Sequence, residues 1–337
     1  MRAREGDFIE TFEGVIFDVK GSVHPPDRLV AFVRYFPEEK GNRRRNGKAY
    51  SKVYSLSERF ELLKEKFSRY LIYDPVFDET VCEVPVSDVK RLYDPVEKLR
   101  QLRNSKTKDS LENKAVQLTE SLKESANIPW SAIGISGSIL IRLRTAGSDI
   151  DPIVYGATNC QKVHSTLREM LNTHDSLFRP YSKNELKCLF DFRSKDTTMT
   201  FEEFVRTESR KILQGKFRGT DYFVRCVKDW NEVDERYGDV QYKNLGYTKI
   251  KATVREDSEA IFTPCTYAIE NVTVLAKPKP ADITEIVSFR GRFCEQAKKL
   301  ETVVAQGKVE SVTDSKTNCE RFRLLIGNKP SDHMVLV

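Results

Sequence analysis

The spacing of apolar positions changes character twice along the chain and divides it into stretches 1–95, 96–240 and 241–337. In the first stretch, short aromatic-rich runs at residues 7–10, 13–20 and 29–36 read as strands, where side chains alternate between two faces. Gly14, Gly21 and His24-Pro25-Pro26 punctuate these runs as turns. Residues 38–48, EEKGNRRRNGK, read as a charged loop. Leu56, Phe60, Leu63 and Phe67 then recur at helical spacing after a capping Ser55 or Ser57, and residues 71–73 and 81–85 read as two more strands.

The second stretch alternates helix and strand. Residues 94–127 are helical with a polar break at 104–109, and Pro129 enforces the stop. An apolar strand at 133–135 enters the small-residue turn 136–138, a short helical pattern follows, and a second apolar strand opens at Asp149. Helices are expected at 159–175 and 200–215, the latter capped by Thr200, and a strand at 221–227. Beyond Tyr242 the pattern is strands, at 248–254, 260–262, 268–275, 285–293, 302–312 and 321–326, which is the signature of a small barrel or sandwich. The stretch KPKP at 277–280 reads as a short stiff linker.

Candidate chemistry concentrates in residues 133–156, IGISGSILIRLRTAGSDIDPIVYG. In a strand, Asp149 and Asp151 present their carboxylates on one face. Two adjacent carboxylates raise each other's pKa unless a cation sits between them, and hard oxygen ligands suit Mg²⁺ or Mn²⁺. The turn at Gly137-Ser138 offers backbone N–H groups and a hydroxyl to phosphate oxygens. These parts point to metal-dependent chemistry on a nucleoside triphosphate.

Gly137-Ser138, ten intervening residues and then Asp149-x-Asp151 resembles the signature of the DNA polymerase β-like nucleotidyltransferase superfamily, over residues 128–156 and more weakly to 230. The resemblance implies a nucleotidyltransferase mixed-sheet core (96–240, with leading helices); with the patterns on either side the chain reads as α+β, with an N-terminal α+β module (1–95) and a C-terminal β-rich, barrel-like domain (241–337). It implies an enzyme that transfers a nucleotidyl group from an NTP such as ATP. Three carboxylates would serve as catalytic groups and metal ligands: Asp149, Asp151 and a third from a later strand. Asp221, which opens the run DYFVRCV, is the choice for the third, with Asp191 and Asp239 as rivals. Gly137 and Ser138 would hold the triphosphate, Arg142 and Arg144 are candidates for phosphate contacts, and Ser148 caps or orients the acidic pair. Pro152 departs from the family pattern, which has an aliphatic residue there, and marks an edge strand or a bulge.

Composition narrows the partners without deciding them. Net charge is +6 and the pI is about 8.8, which permits a polyanionic partner. RNA or DNA is the favoured acceptor; a protein side chain and a small molecule stay open. The basic run Arg43-Arg44-Arg45 reads as a nucleic-acid contact or a solvated loop, and Arg206, Arg210, Lys211, Lys216 and Arg218 as an acceptor groove or a solvated helix face. The rivals to catalysis of this kind are an inactive nucleotidyltransferase-fold nucleic-acid-binding protein and a protein-modifying nucleotidyltransferase. Seven scattered cysteines without a CxxC pair argue for buried free thiols, Cys265 included, rather than zinc or disulfides. His24 reads as a turn residue. No apolar run approaches a membrane span, and the charged start MRAREGDFIE lacks the apolar segment of a secretory signal, which points to the cytoplasm.

Overall fold

Helix starts in this chain are set by reciprocal capping. The Ser55 hydroxyl accepts the N–H of Glu58 while the Glu58 carboxylate accepts the N–H of Ser55, and the same box recurs at Asp109–Glu112, Ser182–Glu185 and Thr200–Glu203. The computed structural model describes residues 1–194, 198–276 and 282–337. The expected linker at 277–280 lies outside the described residues.

The N-terminal stretch forms β1 (Phe8–Thr11), β2 (Ile16–Val19), β3 (Arg28–Pro37), β4 (Arg43–Arg45), β5 (Lys48–Lys52), α1 (Leu56–Lys66), β6 (Leu71–Asp74), β7 (Glu79–Pro85) and β8 (Val89–Tyr93). The sheet runs β4-β5-β3-β2-β1-β8, with β7 joining β3 to β6. Leu63 of α1 packs on Phe17, Val33 and Tyr70 beneath it. The charged loop expected at 38–48 is instead a hairpin. Asn46 and Gly47 both take positive φ (49° and 78°), as a two-residue hairpin turn requires, and Arg45 pairs with Lys48.

The middle stretch forms α2 (Pro95–Asn104), α3 (Ser110–Ser125), β9 (Ile133–Ile135), α4 (Gly137–Leu140), β10 (Pro152–Tyr155), α5 (Ala157–Asn172), β11 (Phe178–Arg179), α6 (Lys183–Arg193), α7 (Phe201–Glu208), β12 (Gln214–Phe217), β13 (Thr220–Phe223) and β14 (Arg225–Val227). Strand β10 is central, antiparallel to β9 and parallel to β14. Pro152 therefore marks neither an edge nor a bulge. It is the first residue of the central strand, where a missing donor is tolerated. The helix expected over 200–215 ends at Glu208, because the Glu295 carboxylate captures the N–H groups of Ile212 and Leu213 and redirects the chain. The strand expected over 221–227 breaks at Val224, whose N–H goes to the carbonyl of Leu213.

The C-terminal stretch forms β15 (Val240–Glu256), β16 (Cys265–Val274), β17 (Ile283–Ser288), β18 (Thr302–Asp314), β19 (Glu320–Leu325) and β20 (His333–Leu336). Pairing follows β15-β16-β17-β19-β18-β20, and β15 also pairs with β18, so five of the strands pair in a ring. Residues 260–261 form a turn and Phe262 makes a single parallel bridge to Cys226, so no strand spans 260–262, and the run expected over 285–293 leaves the sheet at Ser288. The protein is thus α+β, with several sheets and a β-rich C-terminal part. One apolar cluster crosses residue 240: Leu213, Tyr222 and Cys226 share it with Phe262, Tyr267 and Phe293. The N-terminal sheet meets the middle stretch through Phe8, Ile16, Tyr35 and Tyr50 packed on Leu140, Ile141 and Leu143. Among the described residues no helix is long and apolar enough to cross a membrane.

Candidate active site

Residues 149–151 run extended beside β13. Ile150 bridges Tyr222 in parallel register, donates its N–H to the carbonyl of Asp221, and is fully buried in the core. Alternation then turns Asp149 and Asp151 to the opposite face, where both line a pocket of about 50 Å³. The turn 136–138 forms one wall. Ser136 donates its hydroxyl to the carbonyl of Gly6 (2.7 Å), which ties this turn to the N-terminal segment. Gly137 has φ +61°, and a β-carbon there would stand 1.8 Å from Asp151 Oδ2. The Ser138 hydroxyl is buried without a hydrogen-bond partner. The remaining walls come from Asp18 of β2, Arg34 and Tyr35 of β3, Lys52 of β5 and Arg225 of β14.

Charge in this pocket is incompletely matched. Burial, then the neighbouring Asp149 carboxylate, pushes Asp151 up to about 7 against the pull of Arg225, Lys52 and Arg34. Burial, aided by Arg34, pushes the Lys52 amine down to about 8, although both aspartates oppose the shift. Burial also raises the Tyr35 phenol. Asp18 is held below the usual carboxylate range: burial would raise it, but Lys20, Arg225 and Arg34 outweigh that. Arg225 donates to Glu5 (2.5 Å), which also binds Lys20 (2.9 Å), and Lys20 reaches Asp18 (3.0 Å). Arg225 and Asp18 thus belong to a closed ionic network. Asp149, Asp151, Arg34 and Lys52 do not: among the described residues none of these four has an ion-pair partner within 4.0 Å.

Other expected site residues lie elsewhere. Asp221 is level with Asp149 on the neighbouring strand, but its half-exposed carboxylate pairs with Lys216 (2.8 Å) and does not line the pocket. Both Asp221 and Asp149 face Tyr181, whose phenol is raised by burial and by these two acids. Asp191 pairs with Lys187 on α6, and Asp239 with Lys316. Among the described residues no group of three His, Cys, Asp or Glu side chains is arranged to hold a metal ion. Arg142 and Arg144 point away from the pair, into a separate cavity against α2 and α3. Ser148 accepts the N–H of Thr145 (2.9 Å) and shapes the turn before Asp149.

Most cations of the two basic runs are engaged within the protein. Arg43 is buried and donates to the carbonyl of Leu143, Arg45 binds Glu10, and only Arg44 of the three is exposed. Arg210 forks onto Glu301, Lys211 pairs with Glu208, Lys216 with Asp221, and Arg218 donates to Gln117. Arg43, Arg45, Arg210, Lys211 and Lys216 are thus engaged by the protein itself, whereas Arg44 and Arg218 are exposed. His24 accepts the N–H of Val30 and contacts the carbonyl of Ala3 through Nε2, so it is a neutral turn residue, pushed down to about 4 by burial. Five cysteines, Cys265 among them, are buried free thiols, whereas Cys188 and Cys319 are exposed.

No protein-family model matches the chain, and no solved structure matches it. It is 35% identical over 335 residues to the uncharacterized protein MJ1086 of Methanocaldococcus jannaschii, a span covering 97% of this chain and 95% of that one. The chain belongs to the family of that protein.

Sequence reasoning missed the cationic wall. Arg34 and Lys52 stand about a hundred residues before the acidic pair, in strands whose partner surface only the folded chain reveals. One signal was available: Arg34 interrupts LVAFVRYF, a run otherwise apolar on both faces, and a lone charge in such a strand must find a polar cavity.

Proposed function

We propose that this protein is a metal-dependent nucleotidyltransferase that moves a nucleotidyl group from an NTP to a hydroxyl of a nucleic-acid acceptor. The observation that carries the reading is one pocket in which two carboxylates and two cations, none of them ion-paired among the described residues, face each other beside the Gly137-Ser138 turn. Opposite charges held apart at such a site leave room for a ligand carrying both signs, as a metal–triphosphate does.

The donor set suits a hard divalent cation. Asp149 and Asp151 would hold Mg²⁺ or Mn²⁺, which when bound offsets charge on the reacting phosphates. Arg34 and Lys52 bind triphosphate oxygens, and the unpartnered Ser138 hydroxyl donates to another. In the transfer, the acceptor oxygen attacks the α-phosphorus and the bond to the β-phosphate oxygen breaks. Pyrophosphate leaves, and the acceptor proton passes to the exposed carboxylate of Asp149. Tyr54 supports a nucleic-acid acceptor: it is 42% exposed, sits 4.8 Å from the Lys52 amine, and meets the exposed Phe192 edge-on at 5.8 Å. Such aromatic faces stack bases.

A second reading rests on a specific observation. Asp221, the expected third carboxylate, is engaged by Lys216, which favours a nucleotide-binding scaffold without turnover. One experiment separates the two. The protein is incubated with α-labelled NTPs, Mg²⁺ or Mn²⁺, and RNA or DNA. Label in the polymer with pyrophosphate release, both lost in Asp149→Asn, is the expected result. NTP binding without release supports the scaffold, and no NTP binding refutes both.

A further inference from the structure

We propose that the cavity between α2, α3 and residues 141–144 binds a small organophosphate the size of a nucleoside monophosphate. The cavity encloses about 470 Å³, within the roughly 300–1,000 Å³ typical of small-molecule sites. It is lined by Lys98, Gln101, Ser105, Thr107, Arg142 and Arg144, with Glu112 and Leu102 beside them, and shares no residue with the carboxylate pocket.

Segment 141–144 contributes Arg142 and Arg144 to this cavity. Ile141 and Leu143 are fully buried against the N-terminal sheet, so Arg142 and Arg144 point the other way, toward α2 and α3. Arg144 is satisfied by Asp109 (2.6 Å) and Glu112 (3.2 Å). Lys98 is not: it is 6% exposed, its nearest carboxylate oxygen is on Glu112 at 3.9 Å, and among the described residues its ammonium has no hydrogen-bond acceptor. Its ammonium opens onto the cavity, where a ligand can supply the acceptors that the protein does not. Burial, with Arg142 and Arg144 adding to it, pushes this amine down to about 8 even though Glu112 opposes the shift. Arg142 has no ion-pair or hydrogen-bond partner for its guanidinium among the described residues. It sits at φ +58°, in the left-handed region, one residue past the C-cap of α4. Lys98, whose one ion-pair contact is Glu112 at 3.9 Å, and the exposed Arg142, a side chain suited to a phosphate, define the anion-binding end. Gln101, Ser105 and Thr107 supply donors and acceptors for the polar organic remainder, and the cavity is too large for phosphate alone.

Isothermal titration of the full chain with AMP in EDTA tests this, because chelation removes metal-dependent binding at the carboxylate pair. The expected result is one AMP per chain, weakened at least tenfold in Lys98→Met and in Arg142→Asn, and unchanged in Arg34→Ala. Asparagine tolerates the left-handed backbone, so Arg142→Asn stays folded and carries the test if Lys98→Met does not fold. Three results overturn the proposal: no binding at millimolar AMP, inorganic phosphate binding as tightly as AMP, or AMP binding that survives Arg142→Asn and fails in Arg34→Ala.

Discussion

Gly137 touches Asp151 so closely that a β-carbon on the glycine would stand 1.8 Å from Oδ2 and 2.7 Å from the carboxyl carbon. The Gly137-Ser138 turn and the acidic pair are therefore in direct contact, and their fit depends on a missing methyl group. Gly137→Ala must displace the carboxylate and also strain a backbone at φ +61°, which alone costs about 1–3 kcal/mol. Gly147 lies ten residues on with open space around its Cα, so Gly147→Ala is the matched control. Denaturant titration should show a loss of stability in the first variant and little change in the second. Metal-dependent NTP binding should follow the same order.

Asp151 carries a pH signature of its own. Its pKa in the folded chain, about 7, is raised above its ordinary value, so the folded state holds this proton more tightly than the unfolded state. Its contribution to stability is therefore fully present in acid and is lost as pH rises to about 7. Asp151→Asn removes that loss. Relative to wild type, the variant should be unchanged near pH 4 and more stable above neutrality, by roughly 1–3 kcal/mol, in metal-free buffer. Thermal melts across this range check the sign; a stabilisation confined to acid would refute it. The same variant should abolish pyrophosphate release.

Arg34 and Lys52 should matter for triphosphate and not for folding, since neither holds an ion pair among the described residues. Arg34→Ala and Lys52→Met should each weaken NTP binding roughly 10–100-fold, about 1.4–2.8 kcal/mol, while melting within a few degrees of wild type. Lys52 loses its charge near pH 8, so wild-type affinity should fall above that pH and Lys52→Arg should hold it constant. Titrations of labelled NTP at pH 7 and pH 9 give both readouts.

The parts of this fold that the sequence made legible are those whose causes are local. The Gly137 turn and the Asp149/Asp151 alternation are fixed within fifteen residues, and the folded chain puts them in one pocket. Helix starts at Ser55 and Thr200 follow from capping residues three positions from their partners. Two local signals went unread: Asn46-Gly47, which forms a hairpin, and Ser182–Glu185, which caps α6. The remainder depends on distant partners. Nothing near residue 212 announces that Glu295 will end a helical pattern there. Lys216, by contrast, stands five residues before Asp221, across the tight turn at Arg218-Gly219 that pairs β12 with β13, and its pairing with Asp221 was within local reach. The basic runs misled because a cation's role is set by the carboxylate it meets.

Arg45 makes that last point testable. Its side chain is 8% exposed, and it binds Glu10 (2.5 Å), Tyr93 (2.9 Å), Tyr50 (3.1 Å) and the carbonyl of Ile141 (3.3 Å). It thus clamps the β4–β5 hairpin to the segment that follows the Gly137 turn. Arg45→Met would leave Glu10 as an uncompensated carboxylate inside this contact, and breaking a buried pair from one side costs about 3–5 kcal/mol. Arg44 is exposed, and Arg44→Ala should cost no more than about 0.5 kcal/mol. Nucleic-acid affinity should separate the two roles. A residue that touches a phosphate backbone contributes to the salt dependence of binding, whereas a buried clamp does not. Arg45→Met should therefore destabilise the protein while leaving the slope of log affinity against log salt unchanged, measured below its melting temperature. A flattened slope in Arg45→Met at intact stability would return this run to the nucleic-acid interface.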